Sequence, residues 1–247
     1  MRILMSVTTW DGARVEAGLR DDGFMTTVAH DGIEIFECLD LLAHPVVLVE
    51  TELAGLNWQV AVRQLRSEQP EASILVIQNG ASVDNILAAF DCGADDIIDP
   101  RMQSNEIVSR ILAVVARRSG FAGQVLRIGA LKVDLKQRRV FWGPTRVNLS
   151  PSQYEIFERL CLNRTVSVTK DEIMGQLYGV DEGPDPRVID VFVCKLRDRF
   201  VAAGAPSDMI ETVRGRGFRL GQIDDSRGRL PLPYVSPGMP VPLDQAA

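Results

Sequence analysis

The stretch Asp185-Pro-Arg-Val-Ile-Asp-Val-Phe-Val-Cys-Lys-Leu-Arg-Asp-Arg-Phe200 constrains this chain most. Asp185 suits a helix N-cap and Pro186 suits the first helical turn. At about 100° per residue, Ile189, Phe192, Val193, Leu196 and Phe200 fall on one side, and a stripe that apolar has to be covered. The opposite side carries Arg187, Val191, Cys194 and Lys195, flanked by Arg197 and Arg199. A buried stripe backing a small apolar and basic face is what a helix in a DNA major groove needs. An ordinary solvated surface helix carries the same charges, so this helix alone leaves both readings open.

The segment that follows shifts the balance. Glu211-Thr-Val-Arg-Gly-Arg-Gly-Phe-Arg-Leu220 alternates like a strand pair around glycines, which is a hairpin signal. Arg214 and Arg216 fall at its tip, where the glycines permit a tight turn close to a phosphate backbone. A helix followed by a basic hairpin is a winged helix. "IDVFVCKLRDRF" followed by "IETVRGRGFRL" resembles the DNA-binding domain of OmpR/PhoB-type response regulators, and "LYGVDEGPDPRVIDVFVCKLR" is similar to the CtrA-like regulators of alphaproteobacteria. The resemblance runs from about Val125 to Leu220. It implies that Arg187, Val191 and Lys195 approach bases. Arg197, Arg199 and Thr212 would then fix the backbone, and Arg214 and Arg216 enter or flank the minor groove.

At 247 residues there is chain enough for two domains with cores of their own. The net charge of −6 looks wrong for a DNA binder until it is divided. Residues 1–124 carry −9, residues 125–221 carry +4 and residues 222–247 carry −1. Attraction to phosphate is therefore a property of the second part alone. No apolar run approaches the ~20 residues of a membrane span, and the first residues do not read as a secretion signal, so the expectation is a cytoplasmic protein, nucleoid-associated when on DNA. Cys38, Cys92, Cys161 and Cys194 are widely spaced, and His30 and His44 are the only histidines, so no metal site and no cofactor are expected, and the thiols should be reduced and mostly buried. No nucleophile–base set stands out, so the chain does not read as an enzyme.

Residues 1–119 read as five rounds of strand and helix. Strands are expected at Ile3–Val7, Thr26–Ala29, Val46–Glu50, Ile74–Gln78 and Ala94–Ile98, with helices near 12–22, 32–42, 57–68, 83–92 and 103–118. Short apolar strands suit a parallel sheet covered on both faces. The fold class expected is α/β: a flavodoxin-like, doubly wound (βα)5 domain followed by a C-terminal winged helix-turn-helix domain. The first domain resembles the receiver that precedes winged helices in this family, "GADD" at Gly93–Asp96 being the clearest local match. A working receiver phosphorylates an aspartate at the end of its third strand, beside an acid pair that holds Mg²⁺, with a Ser/Thr and a Lys answering the phosphoryl group. Here Glu50 takes the acceptor position, Ser6-Val7-Thr8 the acid pair, Gln78 the hydroxyl position and Pro100 the lysine position, while Ile97 stands at the aromatic switch position. Asp11 nearby reads as a helix N-cap. This is a degenerate receiver. Glu50 then has two readings, an imitation of a phosphorylated aspartate or a partly exposed acid at a strand end, and the missing lysine and hydroxyl favour the second.

The resemblance also implies a homodimer in which Asp96 and Arg110 pair across the interface, although the helix at 83–92 carries no Lys or Arg to complete the customary set. Residues 120–124 read as a flexible linker. Residues 125–221 form the winged-helix domain, starting with a small antiparallel sheet to Leu149. Ser150-Pro-Ser-Gln153 and Thr169-Lys-Asp-Glu172 are capping boxes, and the second, aided by Lys170, is expected to hold a DNA phosphate. In the resembled family the loop Gly179–Pro184, with Asp181 and Glu182, faces RNA polymerase. Residues 222–247 read as a disordered proline-rich tail. The function expected is a sequence-specific duplex-DNA-binding regulator that works without receiver phosphorylation. A conventional phosphorylation-switched regulator is the first alternative, and an adaptor that no longer binds DNA is the second.

Overall fold

A computed structural model describes residues 1–80, 83–179 and 183–223. Both the pair Asp181 and Glu182 and nearly all of the proline-rich tail lie outside these residues. The first part alternates β1 (Arg2–Ser6), α1 (Trp10–Asp21), β2 (Met25–Ala29), α2 (Gly32–Leu41), β3 (Val46–Glu50), α3 (Trp58–Glu68), β4 (Ser73–Ile77), α4 (Val83–Asp91), β5 (Asp96–Ile98) and α5 (Ser104–Arg118). The strands pair in parallel in the order β2-β1-β3-β4-β5. Alternation along each strand sorts the side chains to two faces. Leu4, Val47, Val49, Ile74 and Val76 pack with Ile35, Leu39, Val62 and Leu65 on one side. Ile3, Met5, Val46, Leu48 and Leu75 pack with Val15, Leu19, Ile111 and Leu112 on the other.

The second part is β6 (Val125–Ile128), β7 (Leu131–Asp134), β8 (Arg139–Trp142) and β9 (Thr145–Val147), then α6 (Pro151–Leu162), α7 (Lys170–Tyr178), α8 (Val188–Ala202), β10 (Ile210–Val213) and β11 (Gly217–Leu220). The first four strands form an antiparallel sheet, and the last two form a hairpin. Both capping boxes exist: the Ser150 and Thr169 hydroxyls accept from Gln153 and Glu172 N–H, and the two side chains return the contact. Four expectations need correction. Helix α8 starts at Val188 because Asp185 accepts from the Arg187 N–H and so caps a turn before the helix. Thr9, not Asp11, caps α1, and Asp11 instead pairs with Arg14. Cys194 is exposed and Cys38 is only partly buried. The join after α5 is also tied down: Phe121 N–H donates to Ala116 and the Gln124 amide to Ser109.

The two parts share one core. The apolar cluster on the α1 and α5 side of the parallel sheet runs on through Leu126, Val133, Phe157, Leu196 and Phe218. Polar contacts close the junction. Arg2 Nε donates to Gln176 O at 3.2 Å, and Arg138 donates to Gly23 O at 3.5 Å; within the second part, Arg138 also pairs with the buried Glu155 and lies over the Tyr154 ring. The Met1 ammonium pairs with Glu155, and with Glu158 at 3.0 Å. Leu42 sits so close to Gly175 that a Cβ there would lie 2.0 Å from it.

His44 lies at this junction, 3 % exposed, with Nε2 at 3.0 Å from Thr27 Oγ1. Burial, then the charges of Arg2 and Arg159, pull its pKa down to about 4. An unfolded histidine takes its proton near pH 6.5. Between those values the unfolded state holds more protons, so stability is lost as pH falls from about 6.5 to about 4, by roughly 3 kcal/mol at most. Denaturant unfolding at a series of pH values should show that slope, and it should flatten in His44→Gln.

Candidate nucleic-acid interface and acceptor position

Ile189, Val193, Leu196 and Phe200 of α8 are buried, with the Phe200 and Phe157 rings 4.5 Å apart at their centroids. That burial turns the opposite side outward. Arg187, Val191 (51 % exposed), Cys194, Lys195 and Arg199 all face solvent, and the stripe expected from the sequence is the stripe observed.

The hairpin stands beside this face. Arg214 and Arg216 are exposed in a turn closed by Arg216 N–H to Val213 O, with Gly215 and Gly217 at φ 70° and 102°. Gly217 is required twice over. Its φ is left-handed, and a Cβ would lie 2.0 Å from Val168 O, where Phe218 exchanges two backbone hydrogen bonds with Val168. The wing is thereby pinned to the residue just ahead of α7.

Two expected backbone contacts are engaged within the chain. Arg197 donates through Nε to Ile210 O and through a terminal nitrogen to Thr212 Oγ1, both at 2.9 Å, so it braces α8 against the wing. Lys170 at the start of α7 pairs with Asp190 of α8 at 2.6 Å. The spacing of Arg197 from Thr212 along the chain holds no signal for the first contact. The opposite charges of Lys170 and Asp190 hint at the second only once α7 and α8 are known to meet.

At the carboxyl end of the parallel sheet, Glu50 is 2 % exposed, which corrects the reading of a partly exposed acid. Its carboxylate accepts from Thr8 N–H and Thr8 Oγ1, and from the Thr9 hydroxyl, at the amino end of α1. Its own N–H donates to Ser6 Oγ at 2.8 Å. The residues around the acceptor position are thus hydrogen-bond donors, which suit an anion, and Glu50 supplies that anion itself, aided by the helix dipole. A Mg²⁺ ion needs carboxylate oxygens with free lone pairs. Ser6 and Thr8 offer no carboxylate, and Glu50 is turned to three donors of the β1–α1 loop, so the set does not fit the metal of a working receiver. Gln78 is buried, and its amide oxygen meets no partner among the described residues. Asp96 and Arg110 pair within the chain at 3.3 Å.

Glu50 leaves no room for a side chain at position 12 of α1. A Cβ at Gly12 would lie 2.3 Å from its Oε1. Gly12→Ala is expected to destabilise the protein by about 1–3 kcal/mol. Chemical denaturation should show the cost falling sharply when Glu50→Ala is present too; additive effects would mean that the two groups do not meet.

Comparison with known proteins places these features. Residues 144–220 match the family model described as "Transcriptional regulatory protein, C terminal". The cell cycle transcriptional regulator CtrA of Caulobacter vibrioides is 30 % identical over 209 residues, which cover 83 % of this chain and 89 % of that protein. The cell cycle response regulator CtrA of Brucella anthropi is 30 % identical over 213 residues, covering 85 % and 90 %. Among solved structures, the response regulator DrrB, an OmpR/PhoB homologue of Thermotoga maritima, aligns over 89 % of this chain and 98 % of its own at 20 % identity and a TM-score of 0.43. No helix among the described residues is long and apolar enough to cross a membrane.

Proposed function

This chain belongs to the CtrA-like response regulators of the OmpR/PhoB type, and on that premise we propose that it regulates transcription from duplex DNA without phosphorylation of its receiver domain. The carrying observation for DNA is the α8 face, with Lys195 one turn beyond Val191 and the wing arginines alongside. Lys195, Val191 and Arg187 read base edges in the major groove. Arg199 holds the phosphate backbone, while Arg214 and Arg216 follow the narrow minor groove, where negative potential is concentrated. Arg197 and Thr212 act as a unit, and Lys170 reaches a phosphate only if it leaves Asp190.

The carrying observation for phosphorylation independence is the clamp on Glu50. Three donors engage this carboxylate, no carboxylate stands at Ser6-Val7-Thr8, and Pro100 takes the place where the family implies a lysine. The reading of Glu50 as an imitated phosphoaspartate loses support, because its contacts run to the β1–α1 loop and not to Gln78 or Pro100. The same proposal includes a cytoplasmic homodimer through the surface of α4, β5 and α5. Val83, Leu87 and Phe90 are exposed apolar side chains there, and Asp96 and Arg110 would exchange partners across the dyad. RNA polymerase is the further partner that the family implies.

Two measurements test the reading. Incubation with acetyl phosphate and Mg²⁺ should leave the protein unphosphorylated, and label that enters wild type but not Glu50→Ala would restore the conventional two-component switch. On DNA, two half-sites about 10–11 bp apart are expected. Lys195→Ala should cost ~1–3 kcal/mol on the preferred site and relax selectivity at one base pair. Arg214→Ala should weaken all sequences alike and lower the salt slope by about one charge. Titrations on the preferred site and on random duplex at several salt concentrations separate the two effects. If neither variant weakens binding, the α8 and wing surface is not the DNA site, and the adaptor reading takes its place.

A further inference from the structure

The outward face of the four-stranded sheet carries one uninterrupted row. Arg127 lies opposite Lys132, Lys132 opposite Phe141, and Phe141 opposite Arg146. Directly opposed residues of antiparallel strands project to the same face, and like charges in that position repel. No carboxylate stands in the row, and Arg127 and Arg146 form no ion pair among the described residues. Lys132 lies over the Phe141 ring at 5.2 Å. Three basic side chains and one aromatic are therefore held side by side on a surface that the packing of this domain does not use.

A complementary surface stands on the first domain. Helix α2 contains Glu34, Glu37 and Asp40 and no Lys or Arg. Ile33 (59 % exposed), Glu37, Asp40 and Leu41 (69 % exposed) follow helical spacing along its solvent side. Two large apolar side chains there flank two acids, and neither acid is in an ion pair among the described residues. The dimensions agree. Ten helical residues extend about 15 Å, and four strands about 4.8 Å apart span about 14 Å.

We infer that the α2 stripe of one molecule docks on the Arg127–Lys132–Phe141–Arg146 row of a second copy of this chain. Both surfaces remain exposed in the same molecule, so the occupant comes from another one. The charge division between the halves, −9 against +4, gives the contact its sign. The two surfaces differ, so the contact is head to tail and repeats along a line instead of closing on itself. A helix on a sheet face with two or three exposed ion pairs is weak in free solution. Molecules already bound to neighbouring DNA sites meet at a high effective concentration, and there the contact tells. It rests on the DNA-binding reading only for that scaffold, and it leaves α4, α5 and the α8 face free.

The test is the cooperativity of full-length protein on a duplex with two adjacent sites, compared with affinity for a single isolated site. Glu37→Lys with Asp40→Lys should lower the cooperativity factor about fivefold and leave single-site affinity unchanged. Arg127→Glu with Arg146→Glu should do the same, and mixing the two variants on one duplex should return most of the cooperativity in the order that joins the reversed surfaces. The neutral pair Glu37→Gln with Asp40→Asn should fall between, and circular dichroism checks that each variant is folded. Unchanged cooperativity in either variant overturns the inference, as does failure of the mixed pair to recover. A loss of single-site affinity in the Arg127 and Arg146 variant also overturns it, because the row would then be holding DNA phosphate. Intact single-site binding throughout keeps a failure here separate from a failure of the DNA-binding reading.

Discussion

The burial of one side of α8 against α6 is the contact on which the rest of the second domain depends. Phe200 against Phe157, with Ile189, Val193 and Leu196, removes five large side chains from water, and each such burial stabilises by about 1.5–3 kcal/mol before the ordering cost is counted. The contact does more than hold the helix. It fixes the rotation of α8 about its axis, and so decides that Arg187, Val191, Cys194, Lys195 and Arg199 face outward. The Arg197 brace then fixes the distance from that helix to the wing. The geometry of this exposed face thus follows from core packing, and its residues inherit their positions from side chains buried beneath them.

The first domain is a parallel sheet in the order β2-β1-β3-β4-β5, and the carboxyl end of β3 is closed by hydrogen bonds from the loop after β1. Where a cation would need carboxylates, the β1–α1 loop presents hydroxyls and an N–H, and the acid at the end of β3 turns to meet them. One extra methylene, Glu in place of Asp, gives the reach. Gly12 completes the arrangement, since a side chain on that turn of α1 would occupy the carboxylate's place. The result is a loop tied from within, with the carboxylate of Glu50 at the amino end of α1.

Much of this was legible in the residues. Periodicity located the five strands and five helices of the first domain, and α8, to within a few positions, because those strands are short apolar runs and those helices have clean stripes. The capping boxes at Ser150 and Thr169 were readable as local patterns. The contacts missed are those between distant segments. Thr8 and Thr9 looked like an absence of acids, and nothing local shows that they would close on Glu50, some forty positions away. Asp185 looked like a cap because a cap is defined by its neighbours, while the true helix start depends on how the preceding turn packs. The joining of the two domains into one core was invisible for the same reason, since Leu42 carries no sign that it will meet Gly175.

That last contact bears on modularity. Regulators built from two units invite the thought that either can be exchanged for another. Here Gly175 is cut to the shape of Leu42, and Glu155 is buried against charges brought by the other unit and by Arg138. A transplanted winged helix would take with it a notch fitted to a side chain left behind and a carboxylate stripped of part of its counter-charge. A larger residue at position 175 makes Leu42 move, so a change on one side of this seam is felt by the other.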